Sequence, residues 1–221
     1  MSGDYGQFLR AAGDVEEALE YRLATRQAMP LNAGPAMLLA ITYDALGDDA
    51  RAEAELRAAE SLVGEQSGIR RVRTTEAMAR RDGESLKRIL GEDLVSAGAD
   101  PADTALLTLL DTPEAAPATL RTLASDAEMT LPRLQALSTW AAYYGEHELA
   151  VELLRTPALQ GPHHLISAWG PVWRDTRRTA AFKELMQELK LVDFWRARGW
   201  PTYCRPLGAD VHDRLDFARP A

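Results

Sequence analysis

Cysteine is nearly absent from this chain. Cys204 stands alone in 221 residues, so no disulfide forms within the chain, and a reducing compartment is the expected setting. Positive charge is also in short supply. There are 25 Lys and Arg against 33 Asp and Glu, and a net charge of −8 argues against non-specific binding to nucleic acid or anionic membrane. No apolar run reaches the roughly 18 residues needed to cross a bilayer. The opening MSGDYGQFLR lacks the charged start and apolar stretch of a signal peptide. The expected location is the cytoplasm, or the periplasm if the chain is part of a longer membrane-anchored protein. Catalytic signatures are missing as well: there is no Gly-x-Ser-x-Gly, no glycine-rich phosphate loop and no His-Glu-x-x-His. No enzymatic activity and no cofactor are expected.

What is present is periodicity. Gly13 and Gly47 lie 34 residues apart, as do Ala18 and Ala52, and Pro30 falls where the next unit ends at Gly64. The clearest unit, 33–64, reads as two helices. The first carries Met37, Leu38, Ile41 and Leu46 at helical spacing with Pro35 in its first turn, and the second carries Ala52, Leu56, Ala59 and Leu62 on one face. Gly47 and Asp48 form the turn between them. The same pattern precedes it in 1–32. It returns in 131–157 through Leu134, Leu137, Ala141, Gly145, Ala150 and Leu154. Two weaker units lie between. One, about 67–96, turns at Asp82–Gly83. The other, about 100–128, opens with Asp100 as N-cap and Pro101 in its first turn, and turns at Asp111–Pro113.

A helix pair of this kind cannot bury its apolar face alone, and a period near 34 residues predicts stacking of neighbouring pairs. The expected fold is all-α, an α–α superhelix of about five helix pairs over 1–164. A helical cap, 165–221, packs on the last pair in the same continuous domain. Four of the five tryptophans lie in that cap. It predicts a helix over about 179–191 with Phe182, Leu185, Met186 and Leu189 inward, and a short one over about 193–198, capped by Asp193 and stopped by Gly199. Trp173, Phe182, Trp195 and Trp200 are the expected structural core of the cap, since a stack of repeats needs a terminal element with one apolar and one polar face. No stretch reads as an alternating strand, and the last dozen residues read as frayed.

These positions resemble tetratricopeptide repeat proteins, most strongly over 33–64. The segment WGPVWRDTRRTAAFKELMQELKLVDFWRARGWPTYCRP resembles the segment that closes many bacterial members of that family, through Trp173, Phe182, Leu191, Phe194, Trp195, Arg196, Gly199, Trp200, Pro201 and Cys204. Where that family usually has a proline before the buried phenylalanine, this chain has Thr179-Ala180-Ala181-Phe182. The resemblance implies a protein-interaction or sensory module. Relatives of this type often carry a winged-helix or nucleotide-cyclase domain, which nothing in this sequence matches. It supplies no catalytic residues, and it implies that Cys204 packs in the cap.

Two sets of side chains stand out as candidate binding residues. Between Ser67 and Leu90 there are seven basic residues against three acidic ones. Arg70, Arg73 and Arg80, with Arg81, form a candidate anion-binding row for an acidic peptide or a carboxylate, since guanidinium groups grip carboxylates in a fork. The same spacing is also that of a solvated, ion-paired helix face. The second set lines the groove expected along the first helices of the pairs: Met37, Ile41 and Asp44 in the second unit, and Gln135, Thr139 and Tyr143 in the fifth. These either take a peptide or contact neighbouring helices of the same chain. His163 and His164 are adjacent, so their rings are expected to point apart, and no metal site is expected.

Nothing polar covers the first pair, so Phe8, Leu9 and Leu23 are expected to face an upstream neighbour or a second copy in a homodimer. The expected function is a scaffold that binds a protein or peptide. The alternatives are a sensory or regulatory arm of a transcription or signalling protein and, further off, an enzyme with its site in the concave face.

Overall fold

The structure, a computed structural model, describes residues 2–64, 67–97, 101–126, 129–201, 203–206 and 215–216. It is all-helical apart from one short pairing. The α-helices are α1 (Ser2–Ala11), α2 (Val15–Ala28), α3 (Ala33–Leu46), α4 (Asp49–Val63), α5 (Ser67–Arg80) and α6 (Gly83–Ala97). Then follow α7 (Pro101–Leu109), α8 (Ala116–Ala124), α9 (Leu131–Tyr143), α10 (His147–Gln160), α11 (Ala180–Glu188) and α12 (Leu191–Arg198). Between α10 and α11 the chain runs in three 3-10 turns, Pro162–Trp169, Pro171–Trp173 and Thr176–Arg178. Contrary to the expectation of no strand, Arg205–Pro206 pairs antiparallel with Leu215–Asp216. Asp100, expected to cap α7, lies outside the described residues.

The local chemistry of α3 and α4 is that of the clearest repeat. The Asn32 side chain accepts from the Gly34 amide at 2.9 Å, and Pro35 sits in the first turn where no amide is needed. Gly47 ends α3 in the left-handed region, with φ 75°, and the amide of Asp48 returns to the Tyr43 carbonyl at 2.9 Å. Gly13 ends α1 in the same way, with φ 86° and Asp14 bonded to Leu9. The third turn of this type is at Arg81, another 34 residues on, with φ 56° and the Asp82 amide on the Ala77 carbonyl at 2.9 Å. The repeat therefore reaches α5, with arginine where the first two units have glycine.

Within α1–α2, α3–α4, α5–α6 and α9–α10 each helix packs along its neighbour, and α3 also meets α5. One buried cluster fills the seam of α3, α4 and α5 with Ala36, Ala40, Leu56, Ala59, Ile69 and Val72. The small residues let these helices approach closely. A larger cluster runs from Val15 through Met78, Leu86 and Trp140 to Trp169, Trp173, Phe182 and Trp195.

That larger cluster reflects a closure the sequence did not predict. The C-terminal segment packs on α10 and also returns to the first two pairs. The indoles of Trp169 and Trp195 donate to the carbonyls of Ala11 and Ala12 at 2.9 and 2.7 Å, and the Tyr203 hydroxyl donates to the Ala45 carbonyl. These acceptors sit at the C-terminal ends of α1 and α3, where helix geometry leaves carbonyls without partners. The first pair is therefore partly covered. Leu9 is fully buried, Phe8 meets Phe194 edge-to-face at 5.4 Å, and Arg198 pairs with Glu17. Phe8 and Leu23 remain exposed, at 38% and 36%, so the chain itself covers only part of the apolar end on which the expected homodimer rested.

A detail of the C-terminal segment differs from expectation. Asp193 does not cap α12. The helix starts two residues earlier, after Lys190 in the left-handed region, and Asp193 lies in its first turn. At α11 a side chain caps the helix start, with Thr179 Oγ1 accepting from the Phe182 amide at 3.3 Å.

Candidate functional site

The site begins with the two faces of α5. At about 100° per residue, Arg73 and Arg80 lie within about 20° of one another, whereas Arg70 lies about 60–80° away and Arg71 farther round. The structure divides the expected row accordingly. Arg70 and Arg71 line a cleft toward α9, while Arg73 and Arg80 line a separate cavity toward α4 and α6.

The cleft between α5 and α9 has a volume of about 250 Å³. Arg71, Thr75 and Met78 line it from α5, and Pro132, Gln135 and Thr139 from α9. Met78, Leu90, Leu106 and Trp140 provide an apolar floor, and Ser167 closes one side. The hydroxyls of Thr74, Thr75 and Thr139 donate to the carbonyls four residues earlier, at 2.9, 3.0 and 3.2 Å, which leaves their oxygens as acceptors. Gln135 is held at both ends: its Oε1 accepts from His164 Nδ1 at 3.1 Å and its Nε2 donates to Ser167 Oγ at 3.3 Å. Burial, and then the neighbouring His163, push His164 below its ordinary pKa, so the ring is neutral and Nδ1 carries its proton.

Of the residues singled out in the sequence, the structure brings Arg70, Gln135 and Thr139 together in this cleft. Arg80 lines the second cavity, and the remaining ones make contacts within the chain. Arg73 is held by Glu53, Glu60 and Glu76, and is not presented to an external anion. Arg81 stacks on the Tyr143 ring at 4.6 Å from its centroid and donates to the Tyr143 carbonyl, which fixes both residues and explains the arginine in a glycine position. Met37 packs under Gly68 at the start of α5, and Ile41 gives its carbonyl to Arg10 at 3.0 Å. Asp44 is buried, and desolvation raises its pKa to about 6 against the pull of Arg10. His163 and His164 do not point apart: their rings lie 4.1 Å apart. Among the described residues no group of three or more His, Cys, Asp or Glu is placed to hold a metal ion, and no helix is long and apolar enough to cross a membrane.

Arg71, Thr75 and Met78 were missed, and the repeat itself carried the signal. They stand 34 residues after Met37, Ile41 and Asp44, the groove positions read from the second unit. Ser167 had no such signal, because it arrives from a 3-10 turn that follows no repeat.

Comparison of the chain with protein-family models, with curated proteins and with solved structures gives no match in any of the three.

Proposed function

We propose that this protein is a tetratricopeptide-like helical repeat module that binds an extended segment of another protein in the cleft between α5 and α9. The observation that supports this reading is the register of the cleft. Arg71, Thr75 and Met78 on α5 and Gln135 and Thr139 on α9 all occupy first-helix positions of their repeats, and the space between them is unfilled. The 34-residue recurrence of the left-handed turn at Gly13, Gly47 and Arg81 supports the superhelical reading of the pairs. The cleft combines an apolar floor with hydroxyl and carboxylate acceptors and guanidinium donors, which is the make-up of a peptide groove: pockets for side chains and polar groups for the backbone. Because α5 is held by α6 and α9 by α10, little scaffold order is lost on binding. A volume of about 250 Å³ holds one anchor side chain and its flanking backbone.

Selection from a random peptide library displayed on phage tests this reading. The wild-type protein is expected to enrich sequences sharing one apolar anchor, and Ala136→Arg, which fills the cleft from an exposed position on α9, is expected to lose them. Enrichment of no sequence by a folded wild-type protein, or equal enrichment by Ala136→Arg, contradicts the proposal.

A further inference from the structure

The second cavity, between α4, α5 and α6, has a volume of about 470 Å³ and a different chemistry. Its charged lining is three carboxylates, Glu60, Glu76 and Asp82, and three guanidinium groups, Arg73, Arg80 and Arg88. Most of these are already engaged. Arg73 is shared by Glu53, Glu60 and Glu76, and Arg88 pairs with Glu92. Asp82 caps α6 by accepting from the amide and hydroxyl of Ser85 at 3.0 and 2.6 Å.

One oxygen of Glu76 and the guanidinium group of Arg80 remain. Glu76 is only 3% exposed, and its Oε1 has no hydrogen-bond partner. Arg80, one helical turn later on the same face and exposed, makes no ion pair among the described residues. An i, i+4 Glu–Arg pair on a helix normally closes on itself, but these two do not. An unsatisfied buried carboxylate oxygen is costly, and the remedy is a donor arriving from the cavity. A ligand of net charge would upset a lining of three acids and three bases, whereas a ligand carrying one charge of each sign would not.

We propose that this cavity binds a small zwitterion, a free α-amino acid, with its carboxylate on Arg80 and its ammonium on Glu76. Both residues line the cavity. The site is separate from the α5–α9 cleft and does not depend on what that cleft binds.

The charge on Glu76 gives the site a pH signature. Arg73 and Arg80 face it from its own helix, Glu53 and Glu60 lie on α4, Asp44 on α3, and Asp82 and Arg88 line the cavity from the α6 side. Burial outweighs the arginines and raises Glu76 to about 7. Holding an ammonium requires the ionised form, so affinity rises with pH through that value and binding releases a proton.

The test is titration calorimetry and thermal shift with individual L-amino acids at millimolar concentration, on the wild-type protein and on Arg80→Ala, Glu76→Gln and Ala136→Arg. At least one amino acid is expected to bind and to raise the melting temperature. Its N-acetyl and carboxamide derivatives are expected to bind more than about tenfold more weakly. Arg80→Ala and Glu76→Gln are expected to match that loss while remaining folded, and Ala136→Arg is expected to bind as the wild type does. Absence of any shift with every amino acid, undiminished binding of the blocked derivatives, or undiminished binding by folded Arg80→Ala overturns the proposal.

Discussion

The ends of α1 and α3 and the flank of α5 belong to successive repeats, yet the chain treats them differently. The first two are covered by their own C-terminus: two indoles and a phenol sit on the terminal carbonyls, and the Pro162–Trp169 turn lies along α1, where Arg10 donates to the Ile166 carbonyl at 3.3 Å. The α5 flank is left open, with threonine hydroxyls bonded only to their own helix and Arg71 exposed. The difference lies in the side chains at equivalent positions. Arg10 and Asp44 are buried, with Arg10 donating to the Ile166 carbonyl of the cap, whereas the third unit has Met78, which needs no partner and becomes cleft floor. One repeat scaffold thus yields a face for internal closure and a face that stays open.

The largest expected effect lies on the covered side. Trp195→Ala removes a buried ring and the donor to Ala12, and should cost about 3–5 kcal/mol in denaturant unfolding. An unchanged midpoint would mean that the closure contributes nothing to stability. Gly13→Ala should follow at about 2 kcal/mol or more, because φ is 86° there and a Cβ would lie 2.8 Å from the Trp169 ring.

Acidity should act at the seam between α3 and α5. Glu76 is raised from 4.5 to about 7 and Asp44 from 3.8 to about 6, both chiefly by burial. The folded state therefore holds more protons than the unfolded one between roughly pH 4 and 7. Their contribution to stability is complete below the lower values and is lost as pH rises through about 6 and 7, with a slope of at most about 1.4 kcal/mol per pH unit for each group. The stability of the wild type relative to Glu76→Gln should fall across that window; a flat difference would show that Glu76 titrates normally.

A smaller effect has the opposite sign. Arg22 is 3% exposed with two buried guanidinium nitrogens lacking partners, and Arg10 lies close enough to repel it. Arg22→Met should stabilise by about 1 kcal/mol, read as a higher unfolding midpoint. Smallest of all, Thr75→Val on the open face should stay within about 0.5 kcal/mol of wild type. A large loss there would mean that the cleft is part of the core.

Much of the local structure was legible. Pro35, Gly47 and the alanines of 33–64 specified a helix pair through propensities acting within a few residues, and the tryptophans announced a buried cap. The return of that cap to α1 was not legible, because helical periodicity records which face is apolar and says nothing about which distant element covers it. Buried Arg10, Arg22 and Glu76 were missed for a related reason: charged residues read as surface until the carbonyls and counter-charges around them are known. The basic row is divided by geometry, with Arg70 lining one cavity and Arg73 and Arg80 another, since positions sharing a helix do not all share a face. The close approach of the His163 and His164 rings was not legible either, because adjacency in sequence does not fix side-chain rotamers.

The most direct test of the closure is the distance between spin labels at Glu16 on α2 and Ala197 on α12, exposed neighbours of the Glu17–Arg198 ion pair. A closed chain gives one short, narrow distance distribution that broadens in Trp195→Ala. A long or broad distribution in the wild-type protein would contradict the closure and place the cap on the last pair alone.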